Sequence, residues 1–215
     1  MLKLYMRWGC QYCIRAMLQA ALIPAQEIEL VVLNKQSDRD IFYETNHGIS
    51  PFMPVLEQSD GNLMQESEDI ITYLQSLAGA SLPQKPIYSE AEIRGLRDLL
   101  VELRFALQYY YKLHYHQSIL HKAEIAPFPG SAVNAVQEKC DTLNNLLSKR
   151  FDNPDKLTIN GISSDDFVIF AELPLLHDMR TYAKFTFGTR VQAYISEMLR
   201  LCSHLKGFDH LVPQE

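Results

Sequence analysis

The stretch LKLYMRWGCQYCIRAMLQAAL, residues 2–22, contains a strand pattern, a Cys-x-x-Cys pair and a helix pattern in direct succession. Residues 3–6 are short, apolar and β-compatible, whereas residues 13–22 carry Ala, Leu and Met at the density of a helix. Cys10 and Cys13 therefore fall at a strand-to-helix junction. We expect Cys10 at the helix N-terminus, where free backbone N–H groups and the helix dipole favour a thiolate over a thiol.

The spacing of this pair is shared by redox sites, zinc sites and structural disulfides. Zinc needs four ligands, and the other two cysteines, Cys140 and Cys202, lie singly on apolar helical stripes, where small buried hydrophobes are expected. A disulfide between Cys10 and Cys13 would close a loop too small to add much stability. We interpret Cys10 as a nucleophile and the more buried Cys13 as its resolving thiol. Two core cysteines that are close by chance are the alternative.

The patterns that follow indicate a small α/β domain. Residues 27–34 are nearly continuous in apolar residues, as in a strand buried on both faces. A helix is expected at 37–46, and the turn signal Ser-Asp-Gly at 59–61 separates two short strands of a hairpin. Ser67 then opens another helix. The order βαβαββα predicts a thioredoxin-like domain over residues 1–78, although other small α/β sandwiches share this periodicity.

The second half of the chain is predicted to be entirely helical. Residues 79–87 hold two prolines and a glycine, which is typical of a linker, and residues 88–215 would form an all-α C-terminal domain. Apolar residues recur there at helical spacing. Two capping-box patterns, at 89–92 and 163–166, indicate where helices begin. Pro174 is expected to kink or end the helix that starts at the second box.

Composition restricts the class of partner. The 215 residues carry a net charge of -6 at pH 7, and their 20 Lys and Arg are scattered, so we expect no nucleic-acid partner. Eighteen consecutive apolar residues, the pattern of a membrane helix, do not occur. Arg15 interrupts the apolar stretch that a signal peptide would need. The sequence therefore predicts a cytoplasmic protein without membrane contact, whose cysteines are reduced or redox-active, and a monomer with a dimer as the alternative.

Three short motifs resemble a known family. CQYC before a helix, FMPVL at 52–56 and QESEDI at 65–70 are similar to the glutaredoxins and the glutathione transferase superfamily, most of all to the two-domain bacterial glutaredoxins. The helical second half, with SSDD at 163–166, resembles the C-terminal domain of that superfamily. The resemblance implies a glutathione-dependent thiol-disulfide oxidoreductase that reduces glutathione mixed disulfides or protein disulfides. A glutathione transferase that conjugates electrophiles, and a non-enzymatic partner-binding protein on the same scaffold, are the alternatives.

The resemblance also assigns a glutathione site. Met53, followed by Pro54 after a cis peptide bond, would pair its backbone with the cysteinyl part of glutathione, as a short antiparallel strand would. Ser67, as the cap of a helix, would receive the α-carboxylate of the γ-glutamyl end, and Glu66 would accept its ammonium group. Tyr12 would contact the tripeptide. Glutathione is then a co-substrate, and neither a metal nor another cofactor is implied.

The sequence departs from the family pattern at two places. Glutaredoxins usually have Cys-Pro-Tyr-Cys, whereas Gln11 stands at the proline position here, which adds a backbone N–H and loosens the turn. The redox potential and thiol pKa of the family therefore cannot be carried over. The loop at 48–54 is one residue longer and contains an additional proline, Pro51, which affects the glycine end of the site. The aromatic residues at 109–115 would border a hydrophobic co-substrate pocket in a transferase, and core packing is their alternative role.

Overall fold

The computed structural model describes residues 1–23, 28–78, 83–117, 130–183 and 185–211. Its first part is an α/β unit of thioredoxin type, in the order βαβαββα that the sequence predicts. The elements are β1 (Leu2–Met6), α1 (Gln11–Ala20), β2 (Ile28–Val32), α2 (Gln36–Thr45), β3 (Val55–Glu57), β4 (Leu63–Met64) and α3 (Ser67–Ala78). The four strands form one sheet in the order β2-β1-β3-β4, in which only the β1–β2 pair is parallel.

The prediction that the second strand is buried on both faces is wrong. In β2, Ile28 and Leu30 are buried, whereas the residues between and after them are half-exposed. The physical reason is that β2 lies at the edge of the sheet. The C-terminal segment covers part of this edge, since the Leu30 N–H donates to the Lys206 carbonyl oxygen at 2.7 Å. Gly207 permits this approach: its φ is 80°, and a Cβ atom there would lie 2.2 Å from the Leu30 oxygen.

Every element described after residue 88 is helical, which confirms the predicted α/β plus all-α architecture. The helices are α4 (Glu90–Gln117), α5 (Gly130–Leu146), α6 (Asp166–Ala183) and α7 (Thr189–Cys202), with two 3₁₀ turns at Leu147–Arg150 and Phe208–His210. Pro174 does not end α6, contrary to one of its two predicted effects. Leu173 and Leu176, on either side of it, are buried, and this packing holds the helix together where one backbone hydrogen bond is missing.

The sheet and the helical part share one hydrophobic core. Helix α1 packs on α3 at one side and on α6 at the other, and α6 packs in turn on α4 and α7. Cys140 and Cys202 are fully buried in this core, as expected of small hydrophobes, and burial raises the pKa of both to about 12. The boundaries assigned to the two domains and their linker stay predictions, and residues 79–82 of that linker lie outside the described part of the chain.

A fully buried carboxylate holds the start of α6. Asp166 accepts hydrogen bonds from Arg150 Nε at 2.8 Å, from Arg150 Nη2 at 2.6 Å, from the Tyr194 hydroxyl at 2.7 Å and from the Ser163 N–H at 2.7 Å. The last of these confirms the predicted link within 163–166. The other predicted box is also present, because the Ser89 N–H donates to Glu92 and the Glu92 N–H donates to the Ser89 hydroxyl. The box at 163–166 is buried, whereas the box at 89–92 is at the surface.

We predict that Asp166→Asn lowers the free energy of unfolding by about 3 to 5 kcal/mol, because Arg150 would remain buried as an unpaired cation. Glu92→Gln, at the exposed box, is the control and should change stability much less. Urea denaturation followed by circular dichroism measures both. An equally small change in the two variants would contradict the role assigned to Asp166.

Candidate active site

Cys10 lies where the sequence predicts, as the N-cap residue of α1. The chain turns between β1 and this helix through Gly9, whose φ of 74° is in the left-handed region that favours glycine. The Ile14 N–H donates to the Cys10 carbonyl oxygen at 3.0 Å and closes the first helical turn. Cys10 is buried, with 8% of its surface exposed, and the backbone N–H groups of Tyr12 and Cys13 at the start of α1 act on its sulfur.

The surroundings of Cys10 favour its thiolate. Its pKa is lowered to about 6, above all because the Cys13 thiol donates a hydrogen bond to it. Burial acts in the opposite direction, and the backbone N–H groups of Cys13 and Tyr12 and the positive charge of Arg7 add to the lowering. A free cysteine titrates at roughly 8.5. Cys10 is therefore mainly ionised at neutral pH, and the thiolate is the form that attacks disulfides.

Cys13 has the complementary properties. It is fully buried, and its pKa is raised well above the usual value, first by burial and then because it donates its proton to Cys10. Both cysteines are free thiols in this structure. The pair thus combines one ionised, slightly exposed sulfur with one protonated, buried sulfur, which is the asymmetry that a nucleophile and a resolving thiol require.

The segment before β3 brings its backbone to Cys10. The Met53–Pro54 peptide bond is cis, as the resemblance implies, and the Met53 carbonyl oxygen lies 3.9 Å from Cys10 Sγ. Among the described residues, none accepts a hydrogen bond from the Met53 N–H. A short extended peptide that approached Cys10 could therefore pair with this backbone as an added strand would.

The prediction that Ser67 caps α3 is wrong by one residue. The Ile70 N–H donates to the Glu66 carbonyl oxygen at 3.0 Å, so Glu66 is the N-cap and Ser67 is the first residue of the helix. Glu66 has a φ of 67°, in the left-handed region, and its backbone therefore cannot continue the helix toward the N-terminus. Ser67 still offers its hydroxyl beside the free N–H groups of the first turn, which attract anions.

One cavity unites the residues predicted to bind the tripeptide. Its volume is about 430 Å³, within the range of small-molecule sites. It is lined by Tyr12, Met53, Pro54, Glu66 and Ser67, together with Ser50, Phe52, Gln65 and Glu68. Two aromatic side chains stand at its rim, since Tyr12 is 49% exposed and Phe52 is 72% exposed. Whether these residues bind glutathione stays a prediction.

Gln65 shapes this cavity, and the sequence analysis missed it. Its Nε2 donates to the carbonyl oxygens of Ser50 at 2.7 Å and Phe52 at 3.3 Å, and its Oε1 accepts from the Ser50 N–H at 2.8 Å. Through these hydrogen bonds Gln65, which follows β4, holds the loop before Met53 in place. The only signal in the sequence is its position next to Glu66, which does not reveal the partner loop.

Arg104 and Glu172 are also absent from the sequence prediction. Arg104 on α4 bonds to the side chain of Gln11, the residue at the usual proline position, and forms an ion pair with Glu172 on α6. Arg15, in contrast, pairs with Glu68 at 2.7 Å beside the cavity. The aromatic residues at 109–115 lie on α4, but their side chains are outside the described part, so their role stays a prediction.

Residues 4–82 match the family model described as the glutathione S-transferase N-terminal domain. This part of the chain is similar to that domain family. None of the curated proteins matches the sequence. Within the described residues, no group of three or more His, Cys, Asp or Glu could hold a metal ion, and no helix has the length and apolarity needed to cross a membrane.

Solved structures extend the likeness from residues 4–82 to almost the whole chain. Glutaredoxin 2 from Salmonella typhimurium in complex with glutathione is 20% identical over 99% of each chain, with a TM-score of 0.52. The Tau class glutathione S-transferase of mango, Mangifera indica, is 19% identical over 99% of this chain and 93% of that chain, with a TM-score of 0.54. A glutathione S-transferase from Rhodospirillum rubrum is 15% identical over 100% and 93%, with a TM-score of 0.55. These likenesses show the fold alone.

Alkylation of the reduced protein should distinguish the thiols of Cys10 and Cys13. The reaction of Cys10 with iodoacetamide is expected to rise with pH through a midpoint near 6, since below that pH the sulfur is protonated. Cys13→Ala removes the hydrogen-bond donor and should raise this midpoint, whereas Cys13→Ser retains a hydroxyl donor and should raise it less. Mass spectrometry after timed alkylation at a series of pH values measures the rates. A midpoint that stays unchanged in Cys13→Ala would contradict the assigned hydrogen bond.

Proposed function

We propose that this protein is a glutathione-dependent thiol-disulfide oxidoreductase of the glutaredoxin type, with Cys10 as its nucleophile. The observation that carries the proposal is the paired state of the two thiols: the pKa of Cys10 is lowered to about 6 by the buried, protonated Cys13. A transferase needs only to bind and activate glutathione, whereas a second thiol in contact with the first serves disulfide exchange.

The proposed reaction starts when the Cys10 thiolate attacks the glutathione sulfur of a mixed disulfide between glutathione and a thiol R–SH. A bond forms between Cys10 and that sulfur, the bond to R breaks, and R leaves as a thiolate that takes up a proton. The thiolate of a second glutathione then attacks the glutathione sulfur held by Cys10. Glutathione disulfide forms and the Cys10 thiolate is released, so one glutathione has reduced the mixed disulfide to R–SH.

A protein disulfide would follow a route through both cysteines. Attack by Cys10 leaves it joined to one substrate sulfur and releases the other as a thiolate. Cys13 gives its proton to that thiolate and attacks Cys10, which releases the reduced substrate and forms the Cys10–Cys13 disulfide. Two glutathione molecules then reduce this disulfide and become glutathione disulfide. Since burial, the largest cause of the raised pKa of Cys13, still lowers its thiolate fraction when Cys10 is in the mixed disulfide, we expect resolution by glutathione to dominate.

The cavity supports glutathione as the co-substrate. The Met53 backbone, 3.9 Å from Cys10, would pair with the cysteinyl part and hold its sulfur next to the nucleophile. Ser67 and the free N–H groups of the first turn of α3 would bind the α-carboxylate at the γ-glutamyl end, and Glu66 would accept the ammonium group. The fold likeness to a glutaredoxin solved with glutathione is in keeping with this assignment. The proposal needs neither a metal nor another cofactor.

We predict that Cys10→Ser abolishes reduction of a glutathione mixed disulfide, whereas Cys13→Ser retains much of it, because a second glutathione can resolve the intermediate. Formation of glutathione disulfide measures the rate. Equal losses would contradict the separate roles of the two cysteines. Conjugation of glutathione to a chlorinated aromatic electrophile, with no reductase activity, would identify a transferase instead, and the absence of both activities would favour a non-enzymatic binding protein.

We also predict that Glu66→Ala and Ser67→Ala each weaken glutathione binding by about 1 to 3 kcal/mol, because each removes a charge-assisted hydrogen bond. Asp69→Ala is the matched control: Asp69 is exposed in the same first turn of α3 but does not line the cavity. Titration calorimetry measures the affinity, and thermal melting shows that the fold is intact. An affinity unchanged relative to the control would remove the γ-glutamyl site from this position.

A further inference from the structure

A chain of hydrogen bonds joins the C-terminal helices to the first residue of α1. Arg104 Nη1 on α4 donates to Gln11 Oε1 at 2.9 Å and to Glu172 Oε1 at 3.1 Å. We propose that Arg104, fixed by Glu172, is a positioning residue for the turn that holds Cys10 and Cys13, and that it acts through Gln11. The inference deepens the proposed function and rests on it.

The ion pair between Arg104 and Glu172 can hold the Arg104 side chain in one position. Glu172 is only 8% exposed, and its pKa is raised by burial and lowered in part by the charge of Arg104. A carboxylate and a guanidinium in such a poorly hydrated place are costly to separate, so they keep each other in position. The acceptor Gln11 Oε1 is bound by the same Nη1 atom that binds Glu172. Helices α1, α4 and α6 are therefore tied together at one point.

Gln11 transmits this restraint to the reacting sulfur. It is the first residue of α1 and lies between Cys10 and Tyr12. The backbone N–H groups of Tyr12 and Cys13 contribute to the low pKa of Cys10. A proline at the position of Gln11 would stiffen the turn through its ring. In this protein the side chain of Gln11 is held from outside by Arg104, which restrains the same turn without a ring.

The effect of Arg104 on Cys10 is indirect. The groups that act on the Cys10 sulfur itself are the Cys13 thiol, the N–H groups of the turn and the charge of Arg7 in the preceding segment. Tyr43 on α2 also lies within electrostatic range of Cys10. When the Arg104 contact is lost, the first turn of α1 becomes less well defined, and its N–H groups stabilise the thiolate less. The reduced dithiol is then less stable relative to the disulfide.

Arg104→Met, Gln11→Ala and the double variant test this role. Arg104→Met should raise the midpoint of Cys10 alkylation by about half a pH unit, which is roughly a threefold loss of rate below the midpoint. It should also make the reduction potential of the Cys10–Cys13 couple more negative. In the Gln11→Ala background, Arg104→Met should shift neither quantity further. Iodoacetamide rates against pH and equilibration with dithiothreitol buffers measure the two quantities.

Two further variants control for the loss of a positive charge on α4 and for a failure of Arg104→Met to fold. Arg97→Met removes an exposed arginine two turns earlier on α4 that has no hydrogen bond or ion pair among the described residues, and it should shift neither quantity. Arg104→Met leaves Glu172 without its ion partner, so Arg104→Met with Glu172→Met, which removes both charges, is measured in parallel. It should reproduce the shifts if Arg104→Met fails to fold.

Unchanged midpoint and potential in the folded variants would overturn the inference. Equal shifts of Arg104→Met in the presence and absence of the Gln11 side chain would also overturn it, because the effect would then be one of charge alone. Neither readout uses glutathione. A wild-type protein without reductase activity would therefore refute the proposed function, while the expected shifts would still support the positioning role of Arg104.

Discussion

The parallel pairing of β1 with β2 is the constraint on which the candidate site depends. Parallel neighbours need a crossover connection, so the chain must leave the end of β1 through α1, and the N-terminus of that helix lies at the same edge of the sheet. β3 runs antiparallel to β1 with Tyr5 opposite Val55, which brings the segment just before β3 to this edge. β4 reverses again, so the residues after Met64 arrive there as well. Cys10, Met53 and Glu66 meet because three strand ends meet.

Local sequence patterns are sufficient to predict the order of the strands and helices and the position of Cys10 at a helix N-terminus. A strand, a turn and a helix each occupy a short stretch of sequence, and the Cys-x-x-Cys pair lies inside one of them. The errors arose where neighbours in space decide the outcome. Continuous apolar residues in β2 did not reveal that it is an edge strand. Ser67 is a good capping residue, but the left-handed backbone of Glu66 moves the cap by one position. Propensity predicts which segments are helical better than where they begin.

The residues of the candidate site also form two groups, those that the sequence predicts and those that only the structure reveals. Tyr12, Met53, Pro54, Glu66 and Ser67 were predictable because each belongs to a short motif, and the order of these motifs matches a known family. Gln65 and Arg104 were not predictable, because their partners are set by tertiary packing: 93 residues separate Arg104 from Gln11. A polar side chain in the sequence does not reveal which distant oxygen it will bind. Gln65 and Arg104 are therefore found only in the structure, whereas short motifs already identify the other residues of the candidate site.

One hydrogen bond acts on the two thiols in opposite directions, in addition to burial, which is the largest cause of the raised pKa of Cys13. The hydrogen bond that the Cys13 thiol donates stabilises the Cys10 thiolate, and the same bond makes the proton of Cys13 harder to remove. A stronger bond would therefore lower the pKa of Cys10 and raise the pKa of Cys13 together. Cys10 and Cys13 lie at the start of α1, in the turn that also contains Gln11. Because Gln11 lies in that turn and is held by Arg104, the helical part of the chain contributes to the balance between the two sulfurs.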